Sequence, residues 1–96
     1  MKTMANYEVL YILSPSISDE EREATIKKFK DYVESNNGSV AGIDKWGLKT
    51  LAYPIKFKTE GHYVLMNYTL NAESSIAMGK LMLINENILR HIIVKK

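Results

Sequence analysis

Pro54 closes a ten-residue segment, Trp-Gly-Leu-Lys-Thr-Leu-Ala-Tyr-Pro-Ile from Trp46 to Ile55, and it limits what that segment can become. Proline has no amide proton to give to a ladder and its ring fixes φ, so a strand that reaches it must run along a sheet edge or leave the sheet as a loop. Gly42 and Gly47 are weak points in a pleated strand, where a bend or bulge is expected. Ser39 to Ile43 and Trp46 to Ala52 therefore read as one bent strand whose end Pro54 confines.

The other elements follow from periodicity. Tyr7 to Leu13 is short, aromatic and branched, and is stopped by Ser14-Pro15, which reads as a strand. Tyr7, Val9, Tyr11 and Leu13 would share one face and Glu8, Leu10 and Ile12 the other, so both faces carry apolar groups and the strand is a central one. Ser18-Asp19-Glu20-Glu21 is a capping box, with Ile26, Phe29 and Val33 following at helical spacing and Asn36-Asn37-Gly38 closing the helix, which predicts α-helix from Asp19 to Ser35. Lys56 to Glu60 reads as a charged turn. From Gly61 to Leu70, His62, Val64, Met66, Tyr68 and Leu70 form the more apolar of two alternating faces, a half-buried strand hairpinned to the one before it. Asn71 is placed to cap a second helix, Ala72 to Ile84, whose apolar residues cover more than one stripe; Ile88 to Val94 is a final strand.

Strand, helix, strand, strand, helix, strand folds most simply into a split βαβ arrangement. That is an α+β, ferredoxin-like βαββαβ domain over residues 1–96, a four-stranded antiparallel sheet with two helices on one face. The other face is left open. Glu8, Leu10, Ile12, Tyr63, Leu65, Asn67, Thr69, Arg90, Ile92 and Val94 would populate it. A partly apolar uncovered face is room for a partner.

Composition narrows the chemistry. There is no cysteine, which excludes disulfides and thiolate metal sites. No apolar run approaches the roughly 20 residues that cross a bilayer, and the start of the chain lacks a secretory pattern, so a cytoplasmic protein is expected. Thirteen Lys and Arg against eleven Asp and Glu leave a net charge of +2. Non-specific nucleic-acid affinity grows with the phosphates neutralised, so a balance this small calls for a partner or a shaped site if RNA is the ligand. No nucleophile elbow or phosphate loop occurs, His62 and His91 have no metal-ligand spacing, and Asp19, Glu20 and Glu21 are used by a helix start. No catalytic residue, metal or cofactor is expected.

Each candidate residue has a plainer use beside its functional one. Arg90 could clamp a phosphate or stack on a base, or form a cross-strand ion pair with Glu8. Lys27, Lys28 and Lys30 mark the wet side of a helix before they mark a basic patch. Tyr63 and Leu65 stand where RNA-recognition modules place stacking residues, but Glu60 precedes Gly61 where those modules carry a base, so packing of a protein partner is the favoured use. Trp46 reads first as a core anchor and second as an interface residue. Met66, Met78 and Met82 fill core gaps.

Tyr7-Glu8, Trp46-Gly47-Leu48-Lys49, Leu51-Ala52-Tyr53-Pro54-Ile55, Glu60-Gly61-His62-Tyr63-Val64-Leu65 and Ile88-Leu89-Arg90-His91 together resemble the bacterial small-subunit ribosomal protein S6 family, over nearly the whole chain. The resemblance implies the same ferredoxin-like fold. It also implies a non-enzymatic function: pairing with ribosomal protein S18 and binding with it to the central domain of 16S ribosomal RNA. Carried over residue by residue, it places Lys2, Tyr7, Lys49, Arg90 and Lys95 at RNA-facing positions. Where many relatives carry two basic residues after the glycine–hydrophobic pair, this chain has Lys49 and Thr50, one positive charge fewer. Trp46, Tyr53, Tyr63 and Leu65 are the candidates for partner contact. The competing reading is a small-ligand or regulatory ferredoxin-like module that homodimerises through its sheet. An acylphosphatase-like hydrolase is weaker, because Ser14-Pro15-Ser16 stands where a phosphate-binding loop would be needed.

Overall fold

The computed structural model describes residues 3–55 and 57–96. Its elements are β1 (Met4–Leu13), α1 (Asp19–Ser35), β2 (Ser39–Ile55), β3 (Lys58–Asn71), α2 (Ala72–Ile84) and β4 (Ile88–Lys95). The strands form one antiparallel sheet in the order β2-β3-β1-β4. This is the ferredoxin-like arrangement, with β1 central as its two apolar faces require and β2 at an edge as Pro54 requires.

Local chemistry sets the helix ends. The Glu21 amide donates to Ser18 Oγ at 3.1 Å, and three acids occupy the first turn, where the helix dipole favours them. Asn37 takes the left-handed conformation at φ 65°, which lets the Gly38 amide return to the Val33 carbonyl at 2.9 Å. Asn71 caps α2 by accepting from the Ser74 amide at 2.8 Å.

The core lies between the helices and one sheet face. Tyr7, Val9, Tyr11 and Leu13 of β1 meet Val64, Met66, Tyr68 and Leu70 of β3, and Ile26, Phe29, Val33, Met78 and Met82 close it from the helices. The three core methionines fill the space expected of them. Tyr7 stacks on Tyr68 with ring centroids 5.5 Å apart, and Tyr68 shares a hydrogen bond with Ser75 at 2.9 Å. α2 does not bury all of its apolar residues, and Ile76, Leu83 and Ile84 stay exposed.

Three expectations need correction. The sheet strands run further than pattern alone implied: β1 starts at Met4, opposite Asn71, and β2 continues through Pro54 to Ile55. Of the expected turn Lys56 to Glu60, Lys56 lies outside the described residues and Lys58 to Glu60 are strand, because Ile55 pairs with Lys58 and β3 begins there, three residues before Gly61. β1 pairs β3 only from His62 onward, so this end of the β2–β3 hairpin overhangs the sheet, where charge does not signal a turn. Finally, Arg90 lies opposite Ile12, while Glu8 lies opposite Val94. Glu8 pairs instead with Lys96 at 3.5 Å, and the expected Glu8–Arg90 ion pair does not form.

Candidate protein and nucleic-acid interface

Irregularities in β2 shape the open sheet face. The register with β3 shifts between Val40 and Gly42 and between Lys45 and Gly47, the bends that the two glycines marked. Gly47 has φ +84°, a conformation that side-chain-bearing residues rarely adopt. A third shift falls between Thr50 and Ile55, where the segment containing Pro54 leaves the β3 ladder.

Ahead of that third shift, Leu51 follows the alternation of Lys49, which lies opposite Gly61, and so sits on the face away from the helices. There it packs with Ile12 and Leu89, all three at most 8% exposed, with Ile55 and Tyr63 beside them. The open face therefore holds a small apolar cluster of its own. Gly61 makes room for it, since a Cβ there would fall 2.3 Å from Ile12 Cγ2.

Around this cluster the face divides into aromatic, aliphatic and charged zones. Trp46 stacks on Tyr63 with centroids 6.2 Å apart and planes 8° from parallel, and Trp46 remains 45% exposed. Its first reading, as a core anchor, is thus corrected: Ile43 and Lys45, opposite Met66 and Val64, take the helix side, so alternation sends the indole of Trp46 to the open face. Arg90 donates to the Tyr53 hydroxyl, bringing one expected RNA-facing residue against one expected partner residue. Leu65 lies opposite Leu10, which in turn lies opposite Ile92. Ile92 and Val94 are about half exposed. A shallow groove of about 230 Å³ runs between Ile12, Leu51, Tyr53, Tyr63, Arg90 and Ile92. Trp46, Tyr53, Tyr63 and Leu65 thus share one face.

The expected RNA-facing residues do not converge in the same way. Arg90 is on the open face at one edge of the sheet, and Lys49, opposite Gly61 at the other edge, is exposed. Lys95 lies opposite Tyr7, on the helix side of the far end of β4. Tyr7 is only 7% exposed and its ring is taken up by the stack on Tyr68, so it is a core residue rather than an RNA-facing one. Lys2 lies outside the described residues. Lys96 was not singled out from sequence, yet it reaches both Glu8 and Asn67 on the open face. Only the strand register reveals its reach.

A larger groove, about 410 Å³, opens on the other side between the start of α1 and strands β2 and β3. Its charges are already matched: Arg22 with Asp19 at 2.6 Å and Lys45 with Glu23 at 2.5 Å. Arg22 also approaches His62 at 3.4 Å. Partial burial lowers the His62 pKa, the Arg22 charge lowers it further, and Asp19 opposes both. Such a closed set of ion pairs offers little to a charged ligand. Among the described residues no group of three His, Asp or Glu could hold a metal ion, and no helix is long and apolar enough to cross a membrane.

Comparison with known proteins is consistent across sequence and structure. The sequence model of a family described as ribosomal protein S6 matches residues 6–95. The small ribosomal subunit protein bS6 of Caldanaerobacter subterraneus is 38% identical over 92 residues, covering 96% of this chain and 97% of the relative. That of Desulforamulus reducens is 41% identical over 93 residues, covering 97% and 98%. The crystal structure of 30S ribosomal protein S6 from Thermotoga maritima superposes with a TM-score of 0.91 at 22% identity, covering 98% of this chain and 89% of that one. At that identity the superposition speaks for the fold.

Proposed function

Because the chain belongs to the ribosomal protein S6 family of the small subunit, we propose that it is a non-catalytic, cytoplasmic ribosome constituent that binds the central domain of 16S ribosomal RNA together with ribosomal protein S18. The observation that carries this reading is the open sheet face. It presents a Trp46–Tyr63 stack and half-exposed Ile92 and Val94 to solvent, with Lys49 and Arg90 beside them. Aromatic and aliphatic groups that no helix covers suit a protein partner, since they gain most from leaving water. Basic residues at the margin suit a phosphate backbone close by.

The mechanism is a division of labour. With a net charge of +2 the chain neutralises few phosphates, so it binds RNA weakly alone. Docking of S18 on the apolar face brings further positive charge to the same RNA and makes the two binding events one. Arg90 has a planar fork suited to phosphate or base, and the Tyr53 hydroxyl orients it.

A mobility-shift titration of a central-domain ribosomal RNA fragment, at low and high salt and with and without S18, tests this. Weak binding alone and tight, cooperative binding of the pair support it. Ile92→Glu places a charge on the apolar face and should abolish cooperativity while leaving the weak binding of the single chain. No shift even with S18 present would overturn the reading, and self-association through the sheet would then favour a homodimeric module.

A further inference from the structure

The tip of the β2–β3 hairpin combines two unfavourable features. Ile55 pairs with Lys58, and in the loop between them Phe57 stands at φ +65°. Primed hairpin turns need positive φ, and Gly or Asn usually supplies it because a Cβ and a ring make it costly. The ring gains nothing in return from the fold, since Phe57 is 102% exposed. Phe57 stands on an overhang that β1 does not pair.

From this the geometry points to Phe57 as a base-stacking residue, presented to an unpaired nucleobase of an RNA loop or bulge. The inference rests on the proposed RNA-binding function and adds a contact to it. Three observations favour RNA over a protein pocket. Lys56 and Lys58 adjoin Phe57 in the sequence, and a basic sequence around an aromatic residue suits a polyanion. The apolar zone that suits a protein is elsewhere, around Trp46 and Ile92. A single aromatic face on a narrow, projecting turn can enter beside a splayed base, where stacking needs only a π-surface and no pocket. Lys58 donates to Ser16 Oγ at 2.7 Å and ties the base of the tip to the loop after β1, which keeps the overhang positioned.

The test uses the full chain with S18 and the RNA fragment, carrying 2-aminopurine at one unpaired position at a time. Wild type should change the fluorescence at one such position, and Phe57→Trp should retain both the change and the affinity. Phe57→Ala and Phe57→Leu should lose the change and weaken binding about tenfold. Phe57→Gly, which relieves the positive φ, should weaken RNA binding as alanine does while unfolding at higher denaturant; this separates lost stacking from lost folding. Phe57→Leu matching wild type would overturn the inference, because an aliphatic side chain cannot stack. So would Phe57→Ala weakening S18 binding in the absence of RNA, which would make the tip a protein contact. If the wild type binds RNA with S18 and every tip variant binds equally well, only the stacking role fails. If the wild type does not bind, the RNA-binding function fails with it.

Discussion

At the scale of the residue, a side chain's surroundings decide whether its polar group is an asset. Tyr11 is fully buried against Phe29, and its hydroxyl has no hydrogen-bond partner among the described residues. Burial, reinforced by the negative charge of Glu23, raises its pKa above the usual phenol range. A buried unpaired hydroxyl costs desolvation that its ring does not need. Tyr11→Phe should therefore raise stability by about 1 kcal/mol in urea unfolding. An unchanged or lower stability would show that the hydroxyl is satisfied. Nothing in the strand pattern distinguishes Tyr11 from Tyr7, although one hides an orphan oxygen and the other stacks on Tyr68.

At the scale of the element, ends and irregularities matter more than interiors. Asn71 is the last residue of β3 and the cap of α2 at once, and it is buried. Asn71→Ala leaves the Ser74 amide without its partner and should cost about 1–2 kcal/mol, read as a lower urea midpoint with an unchanged slope. Asn71→Asp, which keeps the accepting oxygen, should recover most of the loss. This cap was legible because it depends on a side chain and an amide three residues apart. The length of β2 was not legible to the same degree. Pro54 forbids a ladder bond, and the pattern alone ended the strand at Ala52; the structure carries it past the proline by shifting register on an edge, where the missing donor faces no partner. Leu51 reaches the open face because the earlier bulge at Lys45/Gly47 exchanges the alternation beyond it, an outcome that no local rule about proline contains.

At the scale of the molecule, the two histidines link folding to protons. Burial lowers the pKa of His91, and burial with Arg22 lowers that of His62. A histidine whose pKa is lower in the folded state than its unfolded value near 6.5 is neutral in both states at higher pH, where its contribution is fully present. As pH falls below that value the unfolded chain takes up protons first, and the contribution is lost. Urea midpoints should therefore drop between pH 7 and pH 5, and the drop should be smaller in a His62→Gln, His91→Gln double variant. An equal drop in both proteins would assign it to other groups.

What the sequence determined by itself is whatever depends on near neighbours: the caps at Ser18 and Asn71, the alternation of β1 and β3, the bends at Gly42 and Gly47, and through element order the sheet with an open face. Tertiary structure decided what depends on distant residues meeting. Tyr7 was stacked on Tyr68, Trp46 on Tyr63, and Arg90 was given to Tyr53 rather than Glu8. The physical reason is that periodicity is a property of one strand. The partner of a side chain is fixed by register between strands, and each bulge that moves the register by one residue exchanges the faces beyond it.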